Sequence, residues 1–156
     1  MSKSIARVER AAQAAELDIT VKRMGGSTCT AEEAARQCGC SVAQIVKSLI
    51  FAGKETDTPY LLLVSGDNRV NEKLMARVLG EPLRRPDADY VRKVTGFAIG
   101  GVAPIAHATP LRTLFDKDLL KFNVIWAAAG TPRCVFETNP QALAGATGAE
   151  IVQVTQ

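Results

Sequence analysis

Ile45-Val46-Lys47-Ser48-Leu49-Ile50-Phe51 is the run on which the fold of this chain turns. It is apolar and β-branched, short for a helix, so it reads as a buried strand. After a polar turn over residues 53–59, Tyr60-Leu61-Leu62-Leu63-Val64-Ser65 reads as a second buried strand. Lys47 is the local conflict, because lysine is almost never fully buried without a partner. One reading is a gatekeeper on a strand edge, or a snorkelling side chain. The other is a cation held in a pocket to bind an anion or to steady a developing negative charge.

Upstream of this run, Ile5 to Leu17 carries Ile5, Val8, Ala12 and Ala15 on one helical stripe, and Ile19 to Met24 alternates like a strand. Thr30 with Glu33 forms a capping box for a helix through Cys38, which Gly39 stops. Ser41 with Gln44 opens a shorter helix that runs into the first strand. Downstream, Gly66-Asp67-Asn68 signals a turn, Asn71 caps a helix that Gly80 ends, and Asp87 caps one that ends near Gly96. Phe97-Ala98-Ile99 reads as a short strand, Leu111 to Phe115 as another, and Asp116 to Phe122 as a helical turn. Val124 to Ala128, Cys134 to Phe136 and Ile151 to Val154 read as strands, with a helix beginning at Asn139-Pro140.

Five to seven short strands with helices in mixed order are not a βαβ repeat. The expectation is an α/β protein of mixed α+β type, with a central mixed sheet or partial barrel surrounded by short helices. The 156 residues suit a single domain spanning 1–156. With 47% apolar and 5% aromatic residues, the core must be built from Val, Ile, Leu and Ala.

No apolar run approaches the ~20 residues of a membrane span, and the N-terminus lacks the apolar region of a signal peptide. The expectation is a cytoplasmic protein without a membrane partner. Cys29, Cys38, Cys40 and Cys134 are then reduced and read mainly as small core residues. Cys38-Gly39-Cys40 is CxC rather than CxxC, and the chain has one histidine, so neither a metal site nor a cofactor is expected. The net charge of +3 permits an anionic partner without demanding one.

Four further features can carry chemistry. In Gly100-Gly101-Val102-Ala103-Pro104, two glycines let the backbone approach a ligand, and exposed N–H groups can hold a carbonyl; the same pattern serves an ordinary tight turn. His107 can donate to a substrate hydroxyl, orient the loop, or be a structural histidine. Asp67 and Asn68 can position a ligand or simply build the turn. Arg84-Arg85 and Arg92-Lys93, with Lys73 and Arg77, can meet phosphates or form a solvated face.

Taken in order and spacing, four segments resemble the YbaK/EbsC family, which includes the prolyl-tRNA synthetase editing domain and free-standing relatives. They are Ile45 to Leu49, Val64 to Asn71, Gly100 to Pro104 with His107, and Ala127 to Pro132. The resemblance runs from about residue 20 to the end. It implies hydrolysis of the ester of a mischarged tRNA, acting in trans on the acceptor end. The amino acid would be small (Ala, Ser, Thr or Cys), on tRNA-Pro or a related tRNA. Besides the aminoacyl-tRNA, it implies an aminoacyl-tRNA synthetase as a partner. Lys47 matches the family's functional lysine, and Gly100 and Pro104 match its GxxxP loop. The resemblance thus assigns Lys47, Gly100 and Gly101 to catalysis and Ser48, Asp67, Val102, Ala103, Pro104 and His107 to substrate binding. The alternative is a non-catalytic RNA-binding or synthetase-associated module of the same fold; the intact lysine and loop favour the enzyme.

Overall fold

The computed structural model describes residues 3–155, which form five α-helices and eight β-strands. The helices are α1 (Lys3–Ala14), α2 (Ala31–Cys38), α3 (Glu72–Leu79), α4 (Ala88–Thr95) and α5 (Pro140–Thr147). The strands are β1 (Val21–Arg23), β2 (Val46–Gly53), β3 (Pro59–Ser65), β4 (Leu83–Arg84), β5 (Arg112–Asp116), β6 (Ile125–Ala128), β7 (Cys134–Thr138) and β8 (Glu150–Val152).

The strands divide between two sheets. One has the order β4-β2-β3-β5-β8 and the other β1-β7-β6. The larger is mixed: β2 pairs antiparallel with β3 and β4, while β3/β5 and β5/β8 are parallel. The smaller is antiparallel throughout. A single parallel bridge between Ile45 and Trp126 joins them at the start of β2. The expected mixed sheet is therefore present, with a second sheet folded against it.

The caps act where the sequence puts them. Glu33 N donates to Thr30 Oγ1 at 3.1 Å, Leu74 N to Asn71 Oδ1 at 3.0 Å, and Tyr90 N to Asp87 Oδ1 at 2.9 Å. Each such cap is worth about 1 kcal/mol. Four helices end on a left-handed glycine: Gly39, Gly80, Gly96 and Gly148.

Three expectations need correction. The first helix ends at Ala14, not Leu17, because Glu16 takes a left-handed φ of 57° and Leu17 N turns back to Ala12 O at 2.8 Å. Phe97-Ala98-Ile99 is not a strand: it forms a turn closed by Gly101 N on Ala98 O, and Phe97 is buried in the main core. Eight strands replace the expected five to seven; the two-residue β4 is too short to have a readable period.

The two faces of β2 enter different cores. Val46 and Ile50 pack with Val91, Val94, Phe97 and Val102, whereas Phe51 packs with Leu62, Val64 and Met75 from β3 and α3. A third cluster joins α2 (Ala34, Ala35) to Ile45, Trp126 and Val135. A buried carboxylate ties the β2–β3 turn to the connection between α3 and β4. Glu81 accepts from Tyr60 Oη at 2.7 Å, from Thr56 Oγ1 at 2.6 Å and from the amides of Glu55 and Thr56. These donors, the threonine hydroxyl foremost, hold its carboxyl down at about 2. Gly53 is required beside it, since a Cβ there would lie 2.1 Å from that carboxyl group.

Candidate active site

A cavity of about 540 Å³ opens along the edge of β2. Seven consecutive residues, Ile45 to Phe51, line it. Side chains alternate along a strand, so a run of neighbours can line one cavity only where the cavity flanks the strand's edge. Between these ends that edge has no strand pairing: β4 pairs with it at Ala52 and Gly53, and the bridge to the smaller sheet is at Ile45, just before β2. The start of α2 with the segment before it (Thr28 to Glu32) forms one wall. Val91, Ile99, Gly100 and Val102 form another, and Trp126 to Ala128 of β6 closes the end.

Lys47 projects on the Val64 side of β2. Its Nζ donates to the main-chain O of Asn68 at 2.5 Å. Burial pushes its ammonium below the ordinary lysine range; Glu32 opposes this most, then Asp116 and Asp67. Asn68 is itself clamped. Its Nδ2 donates to Asp116 Oδ2 and to Asp118 Oδ2, each at 2.8 Å. Asp116 is 1% exposed, and its carboxylate also accepts from the amides of Ser65 and Asp118. The turn after β3 is thus fastened to the end of β5, and this fixes the carbonyl that holds Lys47. Asn68 as an anchor for the lysine, and Asp116 entirely, escape the sequence. Asp116 lies 48 residues from Asn68, and only the parallel pairing of β3 with β5 brings the two together.

Ser48 lies on the opposite face, between Val46 and Ile50. Its Oγ is buried and has no hydrogen-bond partner. A buried hydroxyl left without a partner costs roughly 1–3 kcal/mol.

The glycine loop splits in its placement. Gly100 and Val102 line the cavity, with Gly100 at a left-handed φ of 93° next to Cys29. Gly101 instead abuts the backbone of Thr131, where a Cβ would lie 2.9 Å from Thr131 Cα. Its N–H, expected to meet a carbonyl of the substrate, is spent on Ala98 O at 3.1 Å. Ala103 is fully buried. Pro104 and His107 line a second, smaller cavity with Ala11, Ala15 and Ala146, away from Lys47. His107 Nε2 lies 2.7 Å from Ala103 O, so the ring braces the loop from behind. Burial pushes its pKa below the ordinary value, so the neutral ring donates that hydrogen bond. Asp67 is exposed and acts on Lys47 only through its charge.

Sequence reasoning missed Glu32, the one carboxylate among the residues lining the cavity. In sequence it is one acidic residue in the first turn of a capped helix, which the helix dipole alone explains. Arg85 also reaches the cavity, paired with Glu72 at 3.0 Å and lying 5.6 Å over the Phe51 ring. Arg92 and Lys93 are exposed on α4. Of the thiols, Cys134 is buried and Cys29 is exposed at the cavity. Cys38 is pushed up to about 11, chiefly by burial with Cys40 adding to it. No helix among the described residues is long and apolar enough to cross a membrane.

Comparison with known proteins bears on the same region. The model of the aminoacyl-tRNA editing domain matches residues 26–146. The protein YwhH of Bacillus subtilis, itself uncharacterised, is 32% identical over 75% of this chain and 74% of its own length. The proline–tRNA ligase of Limosilactobacillus fermentum is 32% identical over 67% of this chain, which spans only 19% of the ligase. A solved structure described as a candidate trans-editing enzyme for prolyl tRNA synthetase superposes with a TM-score of 0.93 at 43% identity, covering 100% of this chain and 99% of that one.

Proposed function

The chain belongs to the aminoacyl-tRNA editing domain family, and from that membership we propose that it acts in trans, as a single domain, to hydrolyse the ester of a mischarged tRNA. The amino acid is a small one such as Ala, Ser, Thr or Cys, on tRNA-Pro or a related tRNA. One observation carries the reading: a fixed ammonium, Lys47 on Asn68 O, stands at the edge of a cavity otherwise walled largely by Val, Ile, Ala and Trp side chains. The volume of about 540 Å³ exceeds the needs of a small amino acid alone and suits an aminoacyl group together with part of the terminal nucleoside.

The chemistry asks little of the protein. Water adds to the ester carbonyl, the bond to the ribose oxygen breaks, and that oxygen takes a proton as the amino acid leaves as its carboxylate. Such an ester is already activated, so positioning and charge stabilisation supply most of the rate. Lys47 fixes the ribose or terminal phosphate as a compact point charge. The loop at Gly100 and Val102 faces the carbonyl, and His107 and Pro104 support that loop from the second cavity. The substrate's own ribose hydroxyl or the backbone activates the water. Arg85 and the exposed Arg92 and Lys93 offer weak contacts to acceptor-stem phosphates, which a synthetase partner would supplement.

The test is a panel of tRNAs charged with Ala, Ser, Thr, Cys and Pro, incubated with the parent protein and with Lys47→Ala. The expected result is cleavage of at least one small ester well above buffer hydrolysis, lost in the variant. No cleavage by the parent overturns the reading in favour of a binding module.

A further inference from the structure

Lys47 and Ser48 divide the cavity between the two faces of one strand. The carbonyl of Ile45 accepts from Gly66, and the amide of Gly53 donates to Thr58, so odd-numbered residues of β2 direct their main-chain groups at β3. The alternation of an antiparallel pair turns those of Ser48 and Ile50 the other way, along the free edge that the cavity flanks. On the face adjoining that edge, beside Val46 and Ile50, the buried Ser48 hydroxyl has no hydrogen-bond partner. Main-chain carbonyls and a hydroxyl are acceptors. The walls beside them are Val46, Ile50, Val91 and Val102, which offer none in their side chains.

A cation brought into such surroundings must find acceptors or stay outside. An aminoacyl ester carries one cation, the α-ammonium. The Lys47 face cannot take it, since like charges repel there. We propose that Ser48 is the residue that reads the aminoacyl group: its hydroxyl, with the free β2 edge beside it, accepts a hydrogen bond from the α-ammonium of the bound ester. This rests on the deacylase reading and adds to it a specificity site and the orientation of the substrate. The ribose lies toward Lys47 and Asn68, and the amino acid lies toward Val91, Gly100 and Val102. The hydroxyl, buried as it stands, would meet the ammonium by a turn of χ1 between staggered positions, which is part of the proposal.

The experiment compares the parent, Ser48→Ala and Ser48→Thr on alanyl-tRNA, seryl-tRNA and N-acetylalanyl-tRNA. Removing one hydrogen bond to a charged group predicts a loss of about tenfold or more in kcat/KM. That loss is expected on both free-amino esters with Ser48→Ala, and Ser48→Thr should restore most of it. The parent should prefer alanyl- over N-acetylalanyl-tRNA, and Ser48→Ala should narrow that preference. Circular dichroism and thermal melting of each variant identify a folding defect, and Ser48→Thr supplies a reading if Ser48→Ala melts early. Unchanged cleavage by folded Ser48→Ala overturns the assignment while leaving the deacylase standing. A loss confined to seryl-tRNA also overturns it, in favour of a contact to the side-chain hydroxyl. A parent that cleaves none of the esters overturns both.

Discussion

The Lys47 ammonium reaches the main-chain carbonyl of Asn68 from a position inside an apolar strand, 21 residues away in sequence. That contact orients the charge, while burial weakens its hold on the proton. Losing a charge that fixes the ester in place costs on the order of 10²-fold in rate. Lys47→Ala should therefore lose roughly 100-fold in single-turnover deacylation. Lys47→Arg should recover little, because a planar fork does not fit one carbonyl acceptor as an ammonium does. Lys47→Met should melt no lower than the parent, since it removes a partly desolvated charge and keeps the stem.

Asn68 and Asp116 should separate positioning from folding. Asp116→Ala strands two main-chain donors, Ser65 N and Asp118 N, and removes one of the two acceptors of Asn68 Nδ2; it should destabilise by about 2–4 kcal/mol in urea unfolding. Asn68→Ala keeps the main-chain oxygen but frees it to move. It should lower kcat about tenfold with a smaller fall in melting temperature. Asn68→Asp should be less stable than Asn68→Ala, because it sets a third carboxylate against Asp116 and Asp118.

Two glycine substitutions should move stability in opposite directions. Gly101→Ala drives a Cβ into the backbone of Thr131, where neither side can yield easily, and should cost about 1–3 kcal/mol and misplace the loop. Gly145→Ala lies in α5 with nothing within 4 Å and should gain about 0.5–1 kcal/mol. Melting curves of the pair decide this; a stable Gly101→Ala would show that the loop is not pressed against Thr131.

His107 makes stability pH-dependent. Its pKa in the fold lies below the ordinary 6.5, mainly through burial, so the folded state binds fewer protons than the unfolded chain. Its stabilisation is complete above about 6.5 and is lost as the pH falls from there through the folded value. Urea midpoints measured between pH 7.5 and 5 should decline, and His107→Phe should flatten the part of the decline due to this residue.

Glu81 acts at lower pH with the carboxylate sign. Its pKa is held at about 2, below the ordinary 4.5, so the fold gains from it above 4.5 and loses that gain as the pH falls toward 2. Acid unfolding followed by circular dichroism should therefore be less steep for Glu81→Gln over this range.

Much of the local structure was legible because it depends on neighbours in the chain. Thr30 with Glu33, Asn71, Asp87 and Asn139 each cap a helix, and the two apolar runs pair as β2 and β3, since caps and strand periods are set within a few residues. Phe97 to Ile99 misled because an apolar triplet has no readable period; burial of Phe97 beside Val94 and Val102 satisfied it without a strand. Also legible along the chain were a lysine standing in an apolar strand and the glycine loop, the turn and the Ala-Gly-Thr-Pro segment that accompany it. What those pieces share was set by long-range pairing and packing. The fold left the edge of β2 unpaired, so that Lys47 and Ser48 border one cavity from opposite faces, and it brought Asp116 to Asn68 through the parallel pairing of β3 with β5. It also turned Pro104 and His107 to a second cavity behind the loop. The physical reason is that strand pairing and loop packing join residues tens of positions apart, and no local periodicity records which edge a sheet leaves open.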